Sequence, residues 1–219
     1  MVALLVLATF AVFITLDVLL NREKYKFRVA EAPARERVRA PVVSGVALPE
    51  SLSYHPGHTW AIEQGNGRIR IGLDELAASL LGKLERVEVP SRGRWVSQGE
   101  RGWTVHTDRG GVSMLAPADG EVVGVNDKAL AEPELVSRDP YGEGWLLEIF
   151  SRDAQASFRN LLSGNLARRW MEESMVELRR LLSPHALATA LDGGRIAPEM
   201  GRELPPEKWL ELTRQFFRT

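Results

Sequence analysis

The period of the hydrophobic pattern changes three times along the chain. From Met1 to Leu20 apolar residues run almost unbroken, with Asp17 the sole ionisable side chain. Twenty helical residues rise roughly 30 Å, the thickness of a bilayer core, so the run predicts a transmembrane helix over residues 1–20. Nothing basic precedes it and no small-residue cleavage site closes it, which favours an anchor over a cleaved signal. Arg22, Lys24, Lys26 and Arg28 follow, opposed by Glu23 alone. The positive-inside rule places them in the cytoplasm, giving a single pass through a bacterial-type inner membrane with the C-terminal domain cytoplasmic. Asp17 lies close enough to this flank to reach the headgroups or Arg22. Residues 21–50, basic at first and then rich in Ala, Pro, Arg and Val, read as a juxtamembrane segment and extended linker.

Between Tyr54 and Ile149 the pattern becomes short alternating runs punctuated by turns. Thr59 to Glu63 and Arg68 to Gly72 flank Gly65-Asn66-Gly67, a strong hairpin signal. Asp74 is placed to cap a short helix with Leu76, Leu80 and Leu81 on its apolar side, and Gly82 to stop it. Further strands are expected around Arg86 to Val89, Trp103 to Thr107, Val112 to Ala116, Gly120 to Val125 and Gly144 to Phe150. Many short strands with frequent turns predict a small barrel or sandwich over residues 51–152.

After Ser151 the period turns helical, and residues 153–219 form a helical extension. Phe158, Leu161, Leu162, Leu166, Met171, Met175, Leu178 and Leu182 fall on one broad stripe, with Gly164 as a point of interruption. Ser183-Pro184 starts a second helix that closes at Asp192-Gly193-Gly194. Pro205-Pro206 opens a last one carrying Trp209, Leu210, Leu212, Phe216 and Phe217. Three arrangements are open to that aromatic helix: docking in a partner groove, folding back on the domain, or lying at the membrane interface.

Composition narrows the chemistry. The chain has 44% hydrophobic residues, enough for a core, and a net charge of −1, which argues against a nucleic-acid binder. It contains no cysteine, excluding thiolate metal sites, disulfides and cysteine nucleophiles. Its four histidines, at 55, 58, 106 and 185, lack metal-ligand spacing, so no metal site is expected.

Two segments are specific. Ala116-Pro117-Ala118-Asp119-Gly120-Glu121-Val122-Val123-Gly124-Val125-Asn126 and Asp139-Pro140-Tyr141-Gly142-Glu143-Gly144-Trp145-Leu146 resemble stretches of the H protein of the glycine cleavage system. Tyr54-His55-Pro56-Gly57-His58-Thr59-Trp60 resembles that family's opening strand. Ile71-Gly72-Leu73-Asp74-Glu75-Leu76-Ala77, Leu81-Gly82 and Val87-Glu88-Val89-Pro90 continue the register. The resemblance implies a mainly β, lipoyl-like barrel-sandwich hybrid.

The family's lipoyl lysine sits at a hairpin tip, eleven residues before the glycine that corresponds to Gly120, and here that position is Arg109. A lipoyl amide needs a neutral amine, whereas a guanidinium stays protonated, so lipoate is expected to be absent. His106 replaces the recognition glutamate, and no lysine occurs from 84 to 127; Lys128 is remote. His106, Asp108 and Arg109 are the candidate partner contact, alternation placing His106 and Asp108 on one face, although Asp-Arg-Gly-Gly is also an ordinary turn composition. No nucleophile is spaced with a base, so no catalytic activity and no small-molecule substrate are expected. His58 reads as a packed or hydrogen-bonded residue at a strand start.

These readings converge on a non-enzymatic, membrane-anchored scaffold or binding subunit of a larger membrane or redox complex. Two alternatives stand beside it. A periplasmic adaptor of a transport system would need the opposite topology and a helical insertion, and a residual glycine-cleavage-type carrier would need a modified lysine.

Overall fold

The computed structural model describes residues 40–182, 191–192, 195–196 and 200–218, and the predicted anchor with its flank of Arg22, Lys24, Lys26 and Arg28 lies outside them. Among the described residues no helix is long and apolar enough to cross a membrane.

Chain order begins with a small hairpin, β1 (Val42–Val43) and β2 (Val46–Ala47). Ser44 and Gly45, both at positive φ, form the tight turn that suits a two-residue loop. Val46 and Leu48 are buried in the main core. The folded unit thus starts before residue 50, inside the stretch expected to be an extended linker, because Val43, Val46 and Leu48 find cover there.

Strands β3 (Ser53–His55), β4 (Thr59–Gly65) and β5 (Arg68–Leu73) follow as an antiparallel meander. Gly65, Asn66 and Gly67 all take positive φ at the β4–β5 turn, as the Asn-Gly signal predicts. Helix α1 (Glu75–Leu81) is capped by Asp74, whose Oδ1 accepts from Ala77 N at 2.7 Å, and it ends at Gly82 with φ 70°. Next come β6 (Leu84–Glu88), β7 (Trp95–Val96), β8 (Arg101–Thr107), β9 (Gly110–Leu115) and β10 (Gly120–Val125). The turn region after β10 contains two short helices that periodicity did not reveal, α2 (Asp127–Ala131) and α3 (Glu134–Arg138), before β11 (Leu147–Phe150).

The strands form two main sheets. One has six strands in the order β3-β4-β5-β11-β10-β7, and the other has three, β6-β8-β9. Alternate residues of both, among them Ile69, Ile71, Val105, Val112, Met114, Val122 and Ile149, merge in one hydrophobic cluster. The loop from Asp139 to Leu146 closes one end of it. Pro140 O accepts the buried indole N–H of Trp60 at 3.0 Å. The Tyr141 hydroxyl donates to Ala47 O at 2.7 Å and accepts from Glu75 N at 2.9 Å, tying the loop to β2 and α1. Gly144 has to be glycine, since a Cβ there would lie 2.6 Å from Leu135 O.

The helical stripe after Ser151 is interrupted more deeply than its period implied. Helix α4 (Ala154–Arg159) ends, Leu162 exchanges two 2.8 Å backbone hydrogen bonds with Tyr54, and α5 (Gly164–Leu181) starts with a new phase. Its buried residues are Ala167, Met171, Met175 and Leu178, whereas Leu166, expected on the stripe, is 64% exposed. Leu191–Asp192 pairs with Arg195–Ile196; the helix expected from Pro184 falls largely outside the described residues. A 3₁₀ turn at Met200–Glu203 leads into α6 (Pro206–Phe217), which begins at the expected proline. Trp209, Leu212, Phe216 and Phe217 are buried in the same cluster as the sheets, so the last helix folds back on its own domain.

Trp60 and Gly72 face each other across β4 and β5, and a Cβ on Gly72 would approach the indole to 2.8 Å. Gly72→Ala is therefore expected to lower unfolding stability by about 1–3 kcal/mol through overpacking, read as a lower urea midpoint at unchanged slope.

Candidate functional site

The β8–β9 hairpin carries the site. Thr107 and Gly110 pair at its end, leaving Asp108 and Arg109 as a two-residue turn. The Thr107 hydroxyl accepts from Arg109 N and donates to Gly110 O, each at 3.2 Å. The tip is thereby fixed, and Arg109 projects from it.

Its guanidinium is engaged within the chain. Nη1 donates to Gly201 O and Nη2 to Leu204 O, both backbone carbonyls of the segment leading into α6. The Trp209 ring lies against it, with Cζ 5.1 Å from the ring centroid, within cation–π range. A planar fork with several donors and a stackable face meets all three demands, and a lysine ammonium does not. The C-terminal segment is equally shaped for the contact. A Cβ at Gly201 would fall 2.1 Å from Leu80 O and 2.5 Å from the Trp209 ring, so only glycine lets this turn lie between α1 and α6.

The other two predicted residues take different positions. His106 turns to the neighbouring strand, its Nε2 standing 3.0 Å from Glu88 Oε2 and 3.2 Å from Arg86 Nη2. A protonated Nε2 donates to Glu88, and this bond, followed by that from Arg86, holds the exposed Glu88 carboxyl below its ordinary range. Asp108 is exposed at the tip. Because it belongs to the turn and not to β8, the alternation expected to align it with His106 stops at Thr107.

Sequence reasoning named Arg109 but missed its partners. Gly201 and Leu204 are 92 and 95 residues away and contribute only backbone oxygens, which no side-chain pattern reveals. Trp209 was legible as an apolar residue needing cover, not as a ring for a cation.

A second polar cluster lies in the interior. His58 Nδ1 sits 2.8 Å from Asp74 Oδ2 with both side chains almost fully buried. Asp74 therefore serves two elements, capping α1 through one oxygen and fixing His58 through the other. The His58 ring lies 4.7 Å from Trp170 of α5 and 5.5 Å from Phe216 of α6. With φ of 59°, His58 also occupies the left-handed region, in a turn where Asp74 N bonds back to its carbonyl. The expectation of a hydrogen-bonded strand-start residue describes it well. Among the described residues no group of three His, Asp or Glu side chains is placed to hold a metal ion. Lys128, the lysine that follows the hairpin in sequence, is on α2 and ion-paired with Glu143 at 2.6 Å.

The sequence profile of the family described as Glycine cleavage H-protein matches residues 52–174. The chain is 39% identical over 107 residues to the glycine cleavage system H protein of Pseudoalteromonas atlantica, covering 49% of this chain and 83% of that protein. It is 36% identical over 118 residues to that of Idiomarina loihiensis, covering 54% and 91%. The crystal structure of a glycine cleavage system H protein from Mycobacterium marinum superposes with a TM-score of 0.51 at 30% identity, covering 58% of this chain and 98% of that one. The β-rich core described above is thus the lipoyl-like fold of those proteins. Gly201, Leu204 and Trp209, which hold Arg109, all follow the matched stretch.

Beside the interior pair, His55 accepts a hydrogen bond at Nδ1 from Gly57 N at 3.0 Å, which requires that nitrogen to be unprotonated. Burial, reinforced by Arg218 and His58, pushes its pKa down from 6.5 to about 4. The neutral ring is the folded form, so below about pH 6.5 the unfolded chain takes up a proton that the folded one refuses. The resulting stability is whole above pH 6.5 and is lost as pH falls towards about 4. His55→Asn, which retains an acceptor for Gly57 N–H, is expected to flatten the upper part of that decline in melting temperature against pH.

Proposed function

This chain belongs to the glycine cleavage H-protein family, and on that premise we propose that it is a member without the carrier arm: a non-catalytic scaffold or binding subunit, lipoate-free and anchored to the membrane. One observation carries the reading. The residue at the family's lipoyl position is an arginine whose guanidinium is held by Gly201 O, Leu204 O and the Trp209 ring. A lipoyl group does not fit these residues. Acylation needs a free, neutral amine on a side chain that can swing, and Arg109 offers a protonated guanidinium bonded to the backbone at two points.

The segment that holds Arg109 lies beyond the stretch shared with the family, so the altered tip and the added tail work as a pair. With Arg109 turned inward, exposed Asp108 and the His106–Glu88 pair form the outer surface of the hairpin. These groups suit a protein partner bearing basic or hydrogen-bonding side chains. The anchor at residues 1–20, the basic flank at Arg22, Lys24, Lys26 and Arg28, and the span to residue 50 would hold the domain on the cytoplasmic face of the inner membrane. A domain fixed there and closed at its tip suits a stationary subunit of a membrane or redox complex better than a shuttle between enzymes. The relatives' names place those proteins in the glycine cleavage system.

Full-length protein co-expressed with lipoate-attaching enzymes and supplied with lipoate should keep its unmodified intact mass, while an H protein of a relative in the same cells gains the lipoyl increment. A lipoyl increment on this chain would contradict the proposal. In mild-detergent purification, Asp108→Lys should lose co-purifying subunits that the wild type retains.

A further inference from the structure

Helix α5 leaves one face open to solvent, and the charges on it are arranged about a single apolar residue. Val176 is 46% exposed at the middle of that face. Glu173 stands three residues before it and Arg179 three after; Glu172 stands four before and Arg180 four after, all of them exposed. Positions three and four apart share a helix face, so these five side chains form one strip, its acids on the N-terminal side of Val176 and its bases on the C-terminal side, with exposed Arg169 one turn before the acids. Across the centre, these acids and bases are six to eight residues apart, beyond the one-turn reach of bonding within a helix. One local bond exists, Arg180 to Glu177 at 2.9 Å, and Glu177 keeps a second partner in Gln215.

We propose that the chain self-associates through this strip as a two-fold dimer, α5 crossing its copy antiparallel with the axis at Val176. In that arrangement Glu172 of one protomer faces Arg179 of the other and Glu173 faces Arg180. Symmetry doubles the set to four ion pairs around a Val176–Val176 contact, as a self-complementary two-fold interface requires. A parallel arrangement would set Glu against Glu and Arg against Arg, so the charge order selects the antiparallel one. The pairs lie at the surface, which makes the dimer dependent on ionic strength. The strip is on the face of α5 opposite Ala167, Met171, Met175 and Leu178, and its use leaves both the core and the Arg109 contact undisturbed. The inference is independent of the lipoate-free reading.

Sedimentation equilibrium of the full-length chain in mild detergent tests it. Wild type should dimerise at low ionic strength and weaken as salt is added. Glu172→Arg with Glu173→Arg places only bases around Val176, and Arg179→Glu with Arg180→Glu places only acids there. Each double variant alone should raise the dissociation constant at least tenfold, and an equimolar mixture of the two should restore dimers. A monomeric wild type, or a dimer that both variants leave unchanged, overturns the proposal; the second result would place the contact elsewhere, including in residues 1–20. Because the chain has no cysteine, Val176→Cys gives an independent reading. A short bis-maleimide should cross-link it efficiently and leave Leu210→Cys, on the exposed side of α6, largely monomeric. Equal cross-linking of the two sites would count against an axis at Val176.

Discussion

The guanidinium of Arg109 joins the β8–β9 hairpin to a C-terminal segment more than ninety residues on, bonding Gly201 O and Leu204 O and lying against Trp209 of helix α6. The contact depends on shape as much as on charge. Two carbonyls need two directed donors, and Trp209 needs a flat cation, which together describe arginine. On the receiving side Gly201 has to lack a side chain, because Leu80 O and the Trp209 ring occupy the space a Cβ would take. Once this arrangement is made, the hairpin tip has no freedom to carry a mobile arm, and α6 has a fixed entry point onto the domain. The lipoate-free role proposed for the chain rests on that geometry.

The tail is also seated from its other end. Phe216 stacks near His58, which Asp74 holds, and Asp74 in turn caps α1. A buried ionisable pair of this kind is tolerated only where each polar atom finds a partner, and here the second carboxylate oxygen is satisfied by the helix cap. Trp170 of α5, inside the family-matched stretch, covers the same imidazole, so α5 and the added helix α6 rest on one polar pair. The extension is thereby part of the core, and Phe217 and Leu212 are as well buried as Ile69 and Ile71 of the central sheet.

Much of this was legible in the sequence, for physical reasons that differ by element. The β4–β5 hairpin was readable because Asn66-Gly67 fixes the turn and Ile69 and Ile71 alternate. Helix α1 was readable because Asp74 and Gly82 mark its ends, and α6 because proline opens it. The break between α4 and α5 was under-read: a backbone pairing of Leu162 with Tyr54 resets the helical phase, and backbone pairing leaves no trace in side-chain periodicity. Helices α2 and α3, five residues each, are too short to show a period and depend on Asn126, whose side chain caps α2 and donates to Glu143 O and Trp145 O. At the candidate site, the family resemblance drew attention to Arg109 as the position expected for a lysine, while the destination of its guanidinium stayed hidden, because that is set by tertiary packing.

Arg109 holds the C-terminal segment in place through two carbonyls and one ring. Amide hydrogen exchange of the full-length chain, wild type against Arg109→Ala and Arg109→Lys, measures it. Faster exchange across Met200–Phe217 in the alanine variant, a smaller increase with lysine, and unchanged protection in β4 and β5 are the predicted result. Equal protection of Met200–Phe217 in all three proteins would contradict it, since the segment would then be held by its apolar contacts alone.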